Sequence, residues 1–208
     1  PMRAFLLLLL LAALHSYSLS AIGLKDRLLH KSRYQLSLTN SAVGTPPQVI
    51  NGRLHPGFEV GLLTPLGQRG QKNTADLHLL LAYFSQASLQ RSIGIKPGIG
   101  YRIRLYHQIG LRPHLSLQCM AVQQLNEEFT YQGNGQYKKV SPWRMQLMPA
   151  FGLELYAPVF HVRQRAMALT AGWTFGMQWP FSVISSMLPI SQVTIGLQSQ
   201  LPSSSSKN

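Results

Sequence analysis

Ser88 to Gln124 reads SLQRSIGIKPGIGYRIRLYHQIGLRPHLSLQCMAVQQ, and its alternation decides the fold. In the first run the odd positions are mostly apolar, with Leu89, Ile93, Ile95, Pro97, Ile99, Tyr101 and Ile103. The even positions are small, amide or cationic, with Ser92, Gly94, Lys96, Gly98, Gly100, Arg102 and Arg104. A period of two is that of an extended strand, whose side chains point to opposite faces in turn. From Ile109 the pattern repeats, with Leu111, Leu115, Leu117 and Cys119 against Arg112, His114, Ser116 and Gln118. The two runs predict a hairpin with one apolar and one polar face.

Alternation alone does not say which face is inside, because a soluble barrel or sandwich buries its apolar side. Length decides. Each run is about 15 residues, beyond the roughly 3–10 of most globular strands. Such a run can supply the roughly 9–11 residues that cross a bilayer at a tilt, with an extension beyond it. A glycine-rich polar face also suits a narrow, crowded bore better than a wet exterior. The apolar face is therefore read as facing lipid and the polar face as lining a lumen.

The same alternation recurs at Arg33 to Asn40, Gly57 to Thr64, Ala75 to Gln86, Trp143 to Tyr156, Arg165 to Trp179 and Ile190 to Leu201. Eight strands result, an even number, so both chain ends fall on one side. The long polar connections Ser41 to Pro56, Leu125 to Ser141 and Phe181 to Pro189 then share the opposite side, and those near Tyr106 and Ala157 are shorter. Long outer loops and short periplasmic turns are the pattern of an all-β, eight-stranded antiparallel up-and-down transmembrane β-barrel. Pro97, Pro113 and Pro149 sit inside predicted strands, where each removes a ladder donor, so a bulge or local break is expected at each.

Outside the barrel at 33–201, the sequence divides into residues 1–20, 21–32 and 202–208. The first has Arg3, an apolar run from Ala4 to Leu14 and small residues around Ser20 and Ala21, the pattern of a secretory signal. The second is a basic linker or short helix, and the last a polar tail, PSSSSKN. The 208 residues are 45% hydrophobic, yet long apolar runs are confined to the N-terminus, which excludes a helical membrane bundle. Cys119 is the single cysteine, so no internal disulfide forms.

Nineteen Lys and Arg against six acids give a net charge of +13. These cations alternate with apolar residues along strands instead of clustering with aromatics, which argues against nucleic acid. A phosphorylated outer leaflet, lipopolysaccharide and lipid, fits the rim cations Arg91, Lys138 and Lys139 better, and an outer-membrane protein is a second possible partner.

By parity the lumen receives Glu59, Lys96, Arg102, Arg104, Arg112, His114, Arg144 and Glu154, together with His78. Eight strands enclose a bore only wide enough to be filled by side chains. Unpaired charge there costs several kcal/mol, so these groups are expected to pair into a structural plug. A narrow anion-selective path lined by excess cations is the alternative. A lipid-modifying enzyme needs a serine, a histidine and an orienting acid within reach of one another. Ser88 and Ser92 near the outer rim have no inward histidine at matching height, so no catalytic residue is assigned. Asp76, His78 and His114 lack close metal-ligand spacing, so no metal or other cofactor is expected. Tyr83, Trp143, Trp173 and Trp179 lie towards strand ends, as an interfacial aromatic girdle requires.

Four stretches, HPGFEVGLLTPLG from His55, FTYQGNGQYKKV from Phe129, RMQLMPAFGLEL from Arg144 and WPFSVISSMLPISQVTIGL from Trp179, resemble small outer-membrane β-barrel proteins of the Bacteroidota type. The resemblance spans most of His55 to Leu201 and implies fold and location in the bacterial outer membrane, without an agreed activity. Barrels of that kind usually end on an aromatic residue, whereas here the last strand ends at Leu201.

Overall fold

The computed structural model describes residues 32–44, 55–66, 73–86, 89–106, 109–162, 165–180 and 186–200. The N-terminal signal, the linker up to residue 31 and the tail at 202–208 lie outside them. The strands are β1 Arg33–Val43, β2 Pro56–Pro65, β3 Asn73–Gln86, β4 Gln90–Tyr106, β5 Ile109–Gln124, β6 Phe129–Gly133, β7 Gln136–Lys139, β8 Trp143–Val162, β9 Arg165–Gln178 and β10 Leu188–Gln200. Eight of them close into one antiparallel barrel in the order β1-β10-β9-β8-β5-β4-β3-β2. Pairing of β1 with both β10 and β2 completes the ring, from Arg33 opposite Gln200 to Val43 opposite Ile190 on one side. No sheet edge is left open in the wall.

The polarity is inverted relative to a soluble barrel. Leu38 is 71% exposed, Leu115 62% and Ile195 60%, while Lys96 and Arg112 are each 2% exposed. Ile93 and Phe151 also face outward, so the apolar stripes of every long strand form a continuous outer belt. Such a belt is stable only against lipid, because burial of apolar area is worth about 25 cal/mol per Å² and water would forfeit it. A closed ladder also leaves the wall's backbone groups paired where there is no water to satisfy them. The chain is a transmembrane β-barrel.

Three expectations need correction. Residues 125–141 are not simply a polar loop: β6 and β7 form a separate two-stranded hairpin there. Its turn is built on Gly133, Asn134 and Gly135, all at positive φ, the backbone that glycine and asparagine tolerate. Pro158 to His161 is not a connector either, because β8 runs on to Val162 and stays paired with β9 through an irregularity between Pro158 and Phe160. The bulge absorbs the proline's missing donor and lets the ladder resume. Trp173, thirdly, is not at a strand end.

The interior prolines each interrupt one ladder and leave the other intact. Pro97 pairs with Leu79 of β3, but the β4–β5 ladder lapses between Ile95 and Gly98. Pro113 pairs with Leu153 of β8, and the same β4–β5 ladder lapses again between Gly100 and Ile103. Pro149 pairs with Leu117, while β8 begins its continuous pairing with β9 only at Ala150. Register is conserved across both β4–β5 lapses, so the alternation, and with it the inside–outside assignment, survives.

Candidate functional site: the lumen side chains and a projecting hairpin

Inward side chains fill the bore in tiers. Nearest the chain termini, Arg102 lies with its guanidinium carbon 4.5 Å from the centre of the Tyr156 ring and donates to Gln198 Oε1 at 3.3 Å. Gln198 donates to Glu154 Oε1 at 2.7 Å, and Gln35 donates to Glu154 Oε2 at 3.3 Å. Beside them Arg112 grips Asp76 with two nitrogens, Nε at 2.9 Å and Nη2 at 2.7 Å from Oδ1, and its Nη1 is 3.6 Å from Glu154 Oε2. Arg112 Nη2 also donates to His78 Nδ1 at 2.7 Å. A guanidinium only donates, so Nδ1 accepts and the neutral ring carries its proton on Nε2. The His78 ring stands edge-on to His114, 5.6 Å between centroids.

His78 fits because Gly98 lies opposite it. A Cβ at Gly98 would collide with His78 Cε1 and Nε2 and with the Leu115 carbonyl oxygen. Higher in the bore Lys96 bonds Glu59 at 2.7 Å. Above that the filling becomes apolar, with Phe84, Met120, Val122, Met148 and Ile190 in mutual contact. Around this knot Gln90 and Gln178 exchange reciprocal amide bonds of 2.9 and 3.0 Å, and Gln178 also donates to Gln146.

The buried ionic groups balance. Among the described residues the fully buried cations are Lys96, Arg102 and Arg112, and the buried carboxylates are Glu59, Asp76 and Glu154. Three face three at full burial, and half-buried Arg33, near Tyr156 and Asp76, adds a cation at the terminal-side end of the bore. The sequence places Glu59, Lys96, Arg102, Arg112 and Glu154 on the lumen face, and the structure puts all five inside, with His114 partly buried beside Thr174 at 3.4 Å. Arg104 and Arg144 stand apart, which corrects their assignment to the buried cluster. Arg104 is exposed at the terminal-side mouth, near the end of β4. Arg144, at the start of β8, pairs with Glu128 of the hairpin root. Parity was right for both, but each lies at a mouth, Arg104 open to water and Arg144 half-buried against Glu128.

Asp76 was missing from the expected cluster although it shares its face with His78, two residues on. The glutamines Gln35, Gln146, Gln178 and Gln198 were also unassigned, since uncharged amides give no signal beyond parity. Of the aromatics, Trp143 and Trp179 are exposed at the far end of the wall. Tyr83 stacks on Phe58 three residues below the end of β3, ring centroids 5.5 Å apart. Trp173 instead sits within β9, in a cluster with Phe151 at 5.7 Å and Phe175 at 6.4 Å. Outward aromatics in adjacent strands pack on one another, and this cross-strand contact holds Trp173 in mid-wall. Tyr34, Tyr101 and Tyr106 are exposed towards the terminal side.

Two concavities lie on the lipid face and at the hairpin root. An open furrow of about 720 Å³ crosses the lipid face of β2 to β5, between rows that include Leu77, Ile99 and Leu115 on one side and Leu79, Pro97 and Leu117 on the other. A cleft of about 150 Å³ at the hairpin root is lined by residues that include Glu127, Glu128, Lys139 and Arg144. Among the described residues no group of three His, Cys, Asp or Glu is placed to hold a metal ion.

No family model matches the chain, and no curated protein matches it. Solved structures similar to it include small outer-membrane barrels. The attachment invasion locus protein Ail of Yersinia pestis is 12% identical, with a TM-score of 0.46 over 81% of this chain and 96% of that one. Neisserial surface protein A is 9% identical, with a TM-score of 0.48 over 82% and 97%. The N-terminal β-barrel domain of Pseudomonas aeruginosa OprF is 8% identical, with a TM-score of 0.35 over 80% and 96%. The architecture of the present chain rests on its own closed strand pairing.

Proposed function

We propose that this protein is an outer-membrane barrel of a Gram-negative bacterium, of the Bacteroidota type, with a shut bore. Its role is structural or accessory, exerted by the outer wall and the far-end loops, and it has no catalytic activity. The observation that carries this reading is the one-to-one balance of buried cations and carboxylates in a bore also filled by Phe84, Met120 and Met148. An anion path needs a net positive, hydrated lining, and a neutral, dry one offers anions no preference.

In this reading the run from Arg3 to Ala21 exports the chain, and the long connections face outward. Arg91, exposed on the outer wall near Trp143, meets the phosphates of lipopolysaccharide and outer-leaflet lipid. Single-channel recording of the purified protein in planar bilayers tests the central point. A silent bilayer, with insertion verified by protease protection, is the expected result; steady anion-selective current overturns it.

A further inference from the structure

The hairpin of β6 and β7 stands clear of the barrel with Phe129 54%, Tyr131 58% and Tyr137 69% exposed. Pairing of Phe129 with Lys139 and of Tyr131 with Tyr137 places these three aromatics on one face, and the two tyrosine rings are 5.3 Å apart. Two-stranded hairpins alone in water are marginal, and exposed aromatic clusters mark interaction sites. This one is nevertheless held in place. Its root is tied by Gln124 N–H to the Pro142 carbonyl at 2.7 Å, by Val140 N–H to the Glu128 carbonyl at 2.8 Å, and by the ion pairs Lys139–Glu127 and Arg144–Glu128.

The two edges of the hairpin differ. Because Val140 bonds Glu128, the alternate pair Thr130 and Lys138 is the next hydrogen-bonded one, and the backbone groups of Phe129 and Tyr131 point away from β7. Among the described residues nothing pairs with that side of β6. Sheet edges are ordinarily blunted by lysine, proline or a covering segment. The β7 edge has Lys138 and Lys139, whereas β6 reads Phe-Thr-Tyr-Gln, without charge or proline.

We infer that the β6 edge is a docking site for an extended polypeptide segment of a partner protein, which adds to the hairpin as a third strand. Its backbone bonds the free N–H and C=O groups of Phe129 and Tyr131, the geometry of strand addition. Its alternate side chains are apolar, packing on the face of Phe129, Tyr131 and Tyr137. The intervening ones are acidic, lying on the face of Lys138, for which no carboxylate partner is present among the described residues. A hairpin pinned at its root loses little freedom on binding, which favours affinity. The inference rests on the loop-borne role proposed above, and binding to the purified protein reads it separately from whether the bore conducts.

The test uses the full barrel in detergent micelles and a set of short synthetic peptides alternating valine or tyrosine with glutamate, followed by fluorescence anisotropy. Saturable binding is expected, lost when the peptide's alternate amides are N-methylated. Phe129→Pro removes an outward-pointing N–H without removing a bond inside the hairpin, and it should weaken binding at least about tenfold. Retention of the heat-dependent gel shift by this variant shows that the barrel is folded, and the N-methylated peptides probe the same backbone bonds with the protein unchanged. No saturable peptide binding up to millimolar concentration overturns the inference. So does equal binding by Phe129→Pro, or saturable binding of the anionic polysaccharide alginate in place of the peptides.

Discussion

Arg112 is the residue on which the lumen turns, because it holds Asp76 through two nitrogens and reaches Glu154 and His78 with the same guanidinium. Removing one partner of a buried pair costs about 3–5 kcal/mol, since the other charge stays buried without compensation. Asp76→Ala should therefore lower unfolding stability in lipid vesicles by about that amount, measured by urea titration of tryptophan fluorescence. Adding Arg112→Leu should restore part of the loss, because the stranded cation leaves with its partner and neighbouring mutations do not add. A double variant as unstable as the sum of the two singles would show that Arg112 does not depend on Asp76. At this scale the sequence was half legible. Parity assigned faces correctly, but it has no information about depth, so Arg104 and Arg144 at the mouths looked the same as Arg102 and Arg112 inside.

The strands were readable because lipid imposes the same requirement along their whole length, and the prolines spoil pairing on one side only. What alternation cannot report is where a strand leaves the membrane. The continuation of β8 to Val162 and the hairpin from Phe129 to Lys139 both lie towards or beyond the apolar belt, where water relaxes the pattern. The hairpin still carried a local signal, Asn134-Gly135, which the surrounding polar residues masked. Depth along one strand can be tested directly. Leu115 lies midway along β5 on the lipid face, so Leu115→Arg should cost about 2–4 kcal/mol in bilayer unfolding, the value for a cation near the midplane. Tyr106→Arg, at the end of β4 on the terminal side, should cost about 0–1 kcal/mol. Equal costs at the two sites would mean that the belt is misplaced along the barrel axis.

In the whole molecule, polarity is the property that sequence shows best and charge balance the one it shows least. The chain has a formal +13, yet its fully buried cations and carboxylates number three each, because three of its six acids are committed to the lumen and two more to the hairpin root. No composition count predicts such a division, which depends on which acids meet which cations after closure. In the proposed shut bore, the same closure stacks two obstructions in series, an ionic tier around Arg112, Asp76, Glu154 and Lys96, and an apolar tier of Phe84, Met120, Val122, Met148 and Ile190. Flow through obstructions in series is limited by the tighter one, and a dry hydrophobic constriction blocks ions as well as a filled ionic one does. Phe84→Ala, Met120→Ala and Met148→Ala together should leave planar bilayers silent, and so should Lys96→Ala with Glu59→Ala and Arg112→Ala with Asp76→Ala, which together remove two matched pairs. Combining the two sets should give current, because water then has room in both tiers. Current from either set alone would mean that its tier is the single seal and that the other is already wet.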